Sequence, residues 1–194
     1  TYSADSPAIP RLIRISGGKH AKGSWAPIFS WDGKQLEGKV RQVERTWTVV
    51  GLMNEHQLAL GETTTGGRKD LINPQGLLEY GSLMVLALQR AKTAREAIDV
   101  IDALVREYGY CSKGETFSIA DKNEVWMMEI IGKGPGVKGA IWVAARVPDG
   151  YVSVHANQSR ITTFPLDDPE NWRYSPDVID FAVKKGFYDP KAGK

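Results

Sequence analysis

The stretch Glu115–Ile131 reads ETFSIADKNEVWMMEII, and its alternation of apolar and polar side chains is that of two β-strands. The pair Lys122-Asn123 separates the two runs and predicts the turn of a hairpin. Two more runs of the same kind follow, AIWVAAR from residue 140 and YVSVHAN from residue 151. Since short turns join all four runs, they predict an antiparallel meander of four strands.

Two amphipathic helices are predicted just before this meander. Over residues 77–92 apolar side chains recur three and four positions apart, which places them on one helical face. The next residues, TARE, suit a capping box in which the Thr93 hydroxyl and the Glu96 carboxylate satisfy free amides of a second helix. We expect this helix to end at Gly109. A short third helix is predicted over residues 177–184.

The rest of the N-terminal half reads as short strands. WDGK at residues 31–34 predicts a hairpin turn, and residues 46–52 and 57–62 predict two strands. Because amphipathic helices must bury their apolar faces against a sheet, this order of elements predicts an α+β fold. The 194 residues are enough for one domain, residues 1–194.

Composition excludes several classes of function. The 25 basic and 23 acidic residues are scattered, so we expect no nucleic-acid partner. No apolar run approaches the roughly 20 residues that span a bilayer, so we expect no membrane span. The three histidines show no HxxxH spacing and the single cysteine forms no CxxC pair, so neither a metal site nor a cofactor is expected.

The run GETTTGGRKD at residues 61–70 has two interpretations. It lacks the GxxxxGK[ST] pattern and a following helix, which argues against nucleotide binding. It is either a loop in which Gly66 and Gly67 adopt positive φ, or a strand end where Glu62 and Thr63 have a functional role.

Cys111 can be grouped with His155 and Asn157 as a thiol protease set. However, of its sequence neighbours only Lys113 would lower the pKa of a thiol. We therefore expect Cys111 to be a partly buried structural thiol.

The run HANQSR at residues 155–160 is the strongest local signal. If residues 151–157 form a strand, then Ser153, His155 and Asn157 share one face. The Asn157 amide can donate to a developing oxyanion, and the planar fork of Arg160 can hold a carboxylate. The alternative is a polar turn that caps the sheet, with His155 only as a hydrogen-bonding group.

Four segments together resemble the dipeptidase family of N-terminal-nucleophile cysteine hydrolases. They are VVGLMNEHQLALGETTTGGR, EYGSLMVLALQRAKTAREAIDVI, EYGYCSKGETFSIADKNEVWMMEIIGKG and PDGYVSVHANQSRI. More distantly, LMNEHQLAL and SIADKNEVWMMEI look like strands of bile salt hydrolases and penicillin V acylases. The resemblance implies a four-layer αββα sandwich with antiparallel sheets, here truncated at both ends, and a cysteine dipeptidase.

The resemblance also implies a role for individual residues. Asp5 matches the acidic residue that orients the α-amino group of the nucleophile, and Asn157 matches the oxyanion-hole asparagine. Glu62 falls where relatives line the site and would grip a substrate α-ammonium. Thr63 is a further candidate substrate-binding residue because of its place beside Glu62 at the predicted strand end, not because of the resemblance. Arg160 is expected either to clamp a substrate carboxylate or to organise Asn157.

The nucleophile itself is expected upstream of this chain, because TYSADS resembles an interior segment of the family. Thr1 would then be no nucleophile, and the chain would be an internal fragment that is inactive alone. The expected partners are a dipeptide substrate and the remainder of its own polypeptide, and a homo-oligomer is compatible with the sequence. Two alternatives stay open: an N-acyl amide hydrolase of the same fold, and a non-catalytic binding piece. The compartment is also open, whether secreted, periplasmic or cytoplasmic.

Overall fold

The computed structural model describes residues 14–30 and 33–192. Its three α-helices within these ranges are α1 (Tyr80–Arg90), α2 (Ala94–Tyr108) and α3 (Val178–Lys184). The strands in the same ranges are β1 (Gly18–Lys19), β2 (Trp25–Phe29), β3 (Leu36–Arg41), β4 (Arg45–Thr46), β5 (Val49–Val50), β6 (Met53–Asn54), β7 (Ala59–Gly66), β8 (Gly114–Ala120), β9 (Val125–Gly132), β10 (Ala140–Val147) and β11 (Trp172–Tyr174). Short 3₁₀ turns lie at Lys69–Leu71 and Pro190–Ala192.

A seven-stranded antiparallel sheet organises these elements, in the order β11-β10-β9-β8-β7-β6-β5. The predicted hairpin of β8 and β9 is confirmed, and the Asp121 carboxylate closes its turn by accepting the backbone N–H groups of Asn123 and Glu124. The N-terminal hairpin of β2 and β3 is confirmed as well, although Trp31 and Asp32 of its turn lie outside the described residues.

Two strand predictions near the candidate site are wrong. The strand predicted over residues 57–62 runs from Ala59 to Gly66, so Glu62 and Thr63 lie inside β7 rather than at its end. This extension has a physical cause, because the three consecutive threonines are β-branched and favour strand conformation.

Residues 151–157, predicted as the last strand of the meander, form no strand. Instead β11 pairs with β10 and occupies that edge of the sheet. Val152 and Val154 stay 89% and 76% exposed, whereas Trp172 and Tyr174 of β11 pack against Phe164. The aromatic side chains of β11 bury more apolar surface than the valines would, which favours β11 at this edge.

The three predicted helices are present, and the predicted cap and stop of α2 are confirmed. α1 begins at Tyr80, three residues later than its periodicity suggests, because the Glu79 carboxylate accepts the N–H groups of Gly81 and Ser82. The Thr93 hydroxyl caps α2 by accepting the Glu96 N–H. Helix α2 ends at Tyr108, and the residue that stops it is Gly109, whose φ of 81° is accessible to glycine.

The two faces of the central sheet differ in chemistry. Helices α1 and α2 pack against one face, which contributes large buried side chains to the core, among them Leu60, Phe117, Ile119, Trp126 and Met128. We call the other face the open face, and its side chains include Thr63, Thr65, Thr116, Ser118, Met127 and Glu129. The class is therefore α+β with antiparallel sheets, as predicted, and these helices and this sheet supply two layers of such a sandwich.

One carboxyl group is buried on the helix-facing side. Glu115 lies opposite Thr64 in the register of β7 and β8, is 2% exposed, and accepts a 3.1 Å hydrogen bond from the Thr64 hydroxyl. Burial, and after it the neighbouring Glu62 carboxyl, raise the pKa of Glu115 to about 8 against the opposing effect of Thr64. The folded protein therefore keeps Glu115 protonated at neutral pH.

This raised pKa predicts a pH dependence of stability. The folded-state pKa of about 8 lies above the ordinary value of 4.5, so the folded state binds this proton more tightly than the unfolded state. We expect the free energy of unfolding to fall as pH rises from about 5 to about 8. Because each tenfold difference in proton affinity between the two states corresponds to ~1.4 kcal/mol, the loss is roughly 3 to 5 kcal/mol.

Urea unfolding at several pH values between 5 and 9 tests this expectation. Glu115→Gln removes the titrating group and is expected to flatten the decline, whereas the exposed control Glu55→Gln keeps it. An unchanged decline in Glu115→Gln would contradict the assignment.

Candidate functional site

Residues 151–161, which we call the crossing segment, lie across the open face of the sheet. The Ser153 hydroxyl donates to the Met127 sulfur on β9 over 3.6 Å, and the His155 ring nitrogen Nε2 lies 3.2 Å from the Ser118 hydroxyl on β8. The segment therefore moves one strand along the sheet with each second residue. Alternate side chains face the sheet as predicted, although the segment is not itself a strand.

Asn157 is the point at which the crossing segment reaches β7. Its backbone N–H donates to the Thr63 hydroxyl over 2.9 Å, and its side-chain Nδ2 donates to the Thr64 carbonyl over 2.7 Å. A primary amide has two N–H protons, and within the described part of the chain no further hydrogen bond of this Nδ2 is formed. Asn157 is exposed, so one amide proton is free to donate to a ligand on the open face.

The segment then turns back to β9. The Glu129 carboxylate oxygen Oε1 accepts the backbone N–H of Arg160 and, over 3.1 Å, that of Ile161. Glu129 and Thr63 lie in one row across the sheet, with Thr116 of β8 between them. Two strand spacings amount to about 10 Å. Residues 157–160 therefore cross from Thr63 on β7 to Glu129 on β9, over Thr116.

The structure separates the two neighbouring residues Glu62 and Thr63. Thr63 faces the crossing segment, while Glu62 points to the helix-facing side beside Glu115. Within the described residues the Glu62 oxygen Oε2 is buried without a hydrogen-bond partner. Thr63 and Asn157 thus come together and Glu62 lies apart from them, so its contact with a substrate ammonium stays a prediction. Asp5 lies outside the described residues.

The side chain of Arg160 is exposed at the end of the crossing segment. In residues 14–30 and 33–192 its guanidinium forms no ion pair. Arg160 contacts Glu129 through its backbone N–H and not through its side chain, so the planar fork of the guanidinium is available for an anion. The two roles predicted for Arg160 are therefore compatible with its position.

Glu129 was not predicted from the sequence as a site residue. Its signal lies in EVWMMEII, where alternation places Met127, Glu129 and Ile131 on the face opposite Trp126, Met128 and Ile130. A carboxylate in the middle of an otherwise apolar strand is uncommon. The strand pattern alone did not indicate which later segment it would bind.

Cys111 has the properties of a structural thiol. It is a free, partly buried cysteine, and burial raises its pKa to about 11, with further contributions from Glu79 and Glu37. The thiol is therefore protonated at neutral pH and unsuited to attack a carbonyl.

The described residues offer neither a metal cluster nor a membrane-spanning helix. No group of three or more histidine, cysteine, aspartate or glutamate residues with the geometry of a metal site occurs among them. No helix in those ranges combines the length and apolarity needed to cross a bilayer.

Comparisons with known proteins identify the family of this chain. The model of peptidase family C69 matches residues 27–194. A probable dipeptidase of Latilactobacillus sakei is 35% identical over 134 residues, which are 66% of this chain and 27% of that protein. Probable dipeptidase A of Streptococcus pyogenes serotype M3 is 33% identical over 142 residues, 70% of this chain and 28% of its own length. Dipeptidase A of Lactobacillus helveticus is 31% identical over 143 residues, covering 69% and 28%.

The aligned part of the chain thus spans less than a third of the length of these relatives. The family model, in contrast, covers far more than half of the chain, including the whole central sheet, the crossing segment and Asn157. The chain belongs to peptidase family C69.

Proposed function

We propose that the polypeptide containing this chain is a dipeptidase that cleaves its substrate through a cysteine thioester. The observation that carries the proposal is Asn157, an exposed amide held to β7 by two hydrogen bonds with one proton left to donate. A fixed amide donor of this kind is what a tetrahedral intermediate of acyl transfer needs. The printed names of the relatives, which are dipeptidases or probable dipeptidases, support the same reaction.

The reaction begins with a cysteine that is the first residue of the mature enzyme. Its α-amino group takes the thiol proton, the thiolate attacks the peptide carbonyl, and a C–S bond forms. The C–N bond then breaks, and the proton passes to the leaving amine. Water then attacks the thioester and the C–S bond breaks, so that the water oxygen goes to the released acid and one water proton restores the thiol. Asp5 would orient the α-amino group in this scheme.

The nucleophile is proposed to lie upstream of residue 1. Cys111 is the single cysteine of the chain, and its raised pKa of about 11 disfavours the thiolate. The relatives are more than three times as long as the region that they share with this chain, which leaves room for a nucleophile elsewhere in the polypeptide.

Asn157 would stabilise the oxyanion that forms in this scheme. Its free Nδ2–H would donate to the former carbonyl oxygen, while the Thr63 hydroxyl and the Thr64 carbonyl keep the amide oriented. Because these partners belong to β7, which is paired with β8 at Thr63 and Thr64, the donor needs no reorganisation as negative charge develops. Thr63 therefore supports the substrate site through Asn157.

Arg160 would bind the α-carboxylate of a dipeptide. Its guanidinium is exposed three residues beyond Asn157, and its backbone is tied to Glu129. A planar fork that pairs with a carboxylate in two hydrogen bonds gives both affinity and orientation. An interaction of this kind discriminates dipeptides from longer peptides, because only in a dipeptide does the terminal carboxylate lie one residue from the bond that is cleaved.

The first test is a substrate panel on the full-length polypeptide. We expect it to hydrolyse free dipeptides, and we expect replacement of the N-terminal cysteine of the mature enzyme by alanine to abolish turnover. N-acylated amino acids are included in the same panel. Their hydrolysis in preference to dipeptides would identify an N-acyl amide hydrolase instead of a dipeptidase. Turnover that survives the cysteine replacement would exclude the thioester mechanism.

The second test removes the proposed oxyanion donor. Asn157→Ala in the full-length enzyme should lower kcat by about 100-fold or more with a much smaller change in KM, as expected for a contact made mainly in the transition state. The matched control is Gln158→Ala, which removes a neighbouring exposed amide. Equal effects of the two variants would argue against a specific role for Asn157.

The third test addresses the carboxylate clamp. Arg160→Ala should raise KM for a free dipeptide by roughly 10-fold or more, and Arg160→Lys should restore part of the affinity because it keeps the charge but not the fork. The same dipeptide with a C-terminal amide has no carboxylate for Arg160 to bind, so its KM should change little in either variant. An equal loss on both substrates would instead favour the role of Arg160 as an organiser of Asn157.

A further inference from the structure

A pocket of about 210 Å³ opens on the same face of the sheet as Asn157. Its wall is formed by strands β7, β8, β9 and β10 together with the end of the crossing segment and the residues after it. The residues that matter to its chemistry are Thr65, Glu129, Ile131, Ile141, Ile161 and Phe164. The predictions from sequence did not identify this pocket.

The pocket lies directly beside the candidate oxyanion donor. Thr65 of its wall is two residues beyond Thr63, the partner of Asn157, and Ser159 of its wall is two residues beyond Asn157 itself. Two extended residues span at most about 7 Å. A carbonyl bound at the Asn157 amide would therefore have its neighbouring side chain within reach of the pocket.

The pocket lining favours an apolar group. Ile131, Ile141 and Phe164 supply hydrocarbon walls. The carboxylate of Glu129 also lines the pocket, but its oxygen Oε1 is already occupied by two backbone N–H groups of the crossing segment. An apolar cavity of about 150 Å³ is already large enough to hold benzene, so the side chain of leucine or phenylalanine fits the available space.

The far wall of the pocket is held in place by aromatic packing. The ring of Phe164 packs with Trp172 and Tyr174 of β11 at centroid distances of 6.4 and 5.4 Å. The Tyr174 hydroxyl donates to the Leu166 carbonyl over 3.0 Å, which fixes the chain just after Phe164. The pocket is therefore formed before any ligand binds, as is usual for specificity pockets.

We infer that this pocket binds an apolar side chain of the substrate next to the scissile bond. The enzyme then prefers dipeptides in which the residue whose side chain enters the pocket is large and apolar. The inference rests on the proposed function and adds a substrate class to it. The Glu129 carboxylate would disfavour acidic side chains in the same pocket.

The experiment uses the full-length enzyme and dipeptides that carry glycine, alanine, leucine, phenylalanine or aspartate at either position. Ile131→Phe fills the pocket from within, and Thr162→Phe narrows it from an exposed position on its rim. Each is expected to lower kcat/KM for leucine and phenylalanine substrates by about 10-fold or more relative to alanine substrates, since one methylene in such a pocket is worth about 10-fold or more. Ile179→Phe on α3, outside the pocket, is the matched control and should not change the order of preference.

The outcomes separate this inference from the proposed function. Dipeptide turnover combined with an unchanged order of preference in both pocket variants would overturn the pocket assignment and leave the dipeptidase proposal standing. An equal loss on all substrates in both pocket variants would likewise overturn the pocket assignment, because a pocket that binds the side chain must affect large side chains more than small ones. Absence of dipeptide turnover by the unmodified enzyme would overturn both.

Discussion

The alternation of side chains along β7, β8 and β9 is the constraint on which the rest of the structure depends. One register sends Leu60, Phe117 and Met128 under the helices, and the same register sends Thr63 and Glu129 to the open face. A slip of one residue would expose the phenylalanine and bury Glu129 on the helix-facing side. The pairings that build the core therefore also place both anchors of the crossing segment.

Local elements of the fold were predictable from the sequence because their signals are local. The Thr93 cap, the Gly109 stop and the β8–β9 turn each depend on residues within four positions of one another. The outer edge of the sheet was not predictable in this way. Residues 151–157 and the strand β11 compete for it, and the outcome depends on packing between Phe164 and the aromatic residues of β11.

In the candidate site, too, some residues were predictable from the sequence and others depend on long-range packing. The family resemblance identified Asn157, the pattern of residues 61–70 identified Thr63, and the structure joins the two by a hydrogen bond across 94 positions of sequence. The sequence also grouped Glu62 with them, yet adjacent residues of a strand point to opposite faces, and the true extent of β7 puts Glu62 beside Glu115. Glu129 was missed because its partners are backbone N–H groups, which have no residue-specific signal in the sequence.

The conformation of Asn157 explains why asparagine in particular suits this position. Its φ of 53° lies in the left-handed region, where glycine and asparagine are the residues best tolerated. Glycine would accept this backbone but would have no amide to bond the Thr64 carbonyl, and aspartate would place an acceptor against that carbonyl. Asparagine therefore meets three demands at once: it tolerates the left-handed backbone, it bonds β7, and it keeps one amide proton to donate. The turn of the crossing segment and the candidate oxyanion donor thus depend on the same side chain.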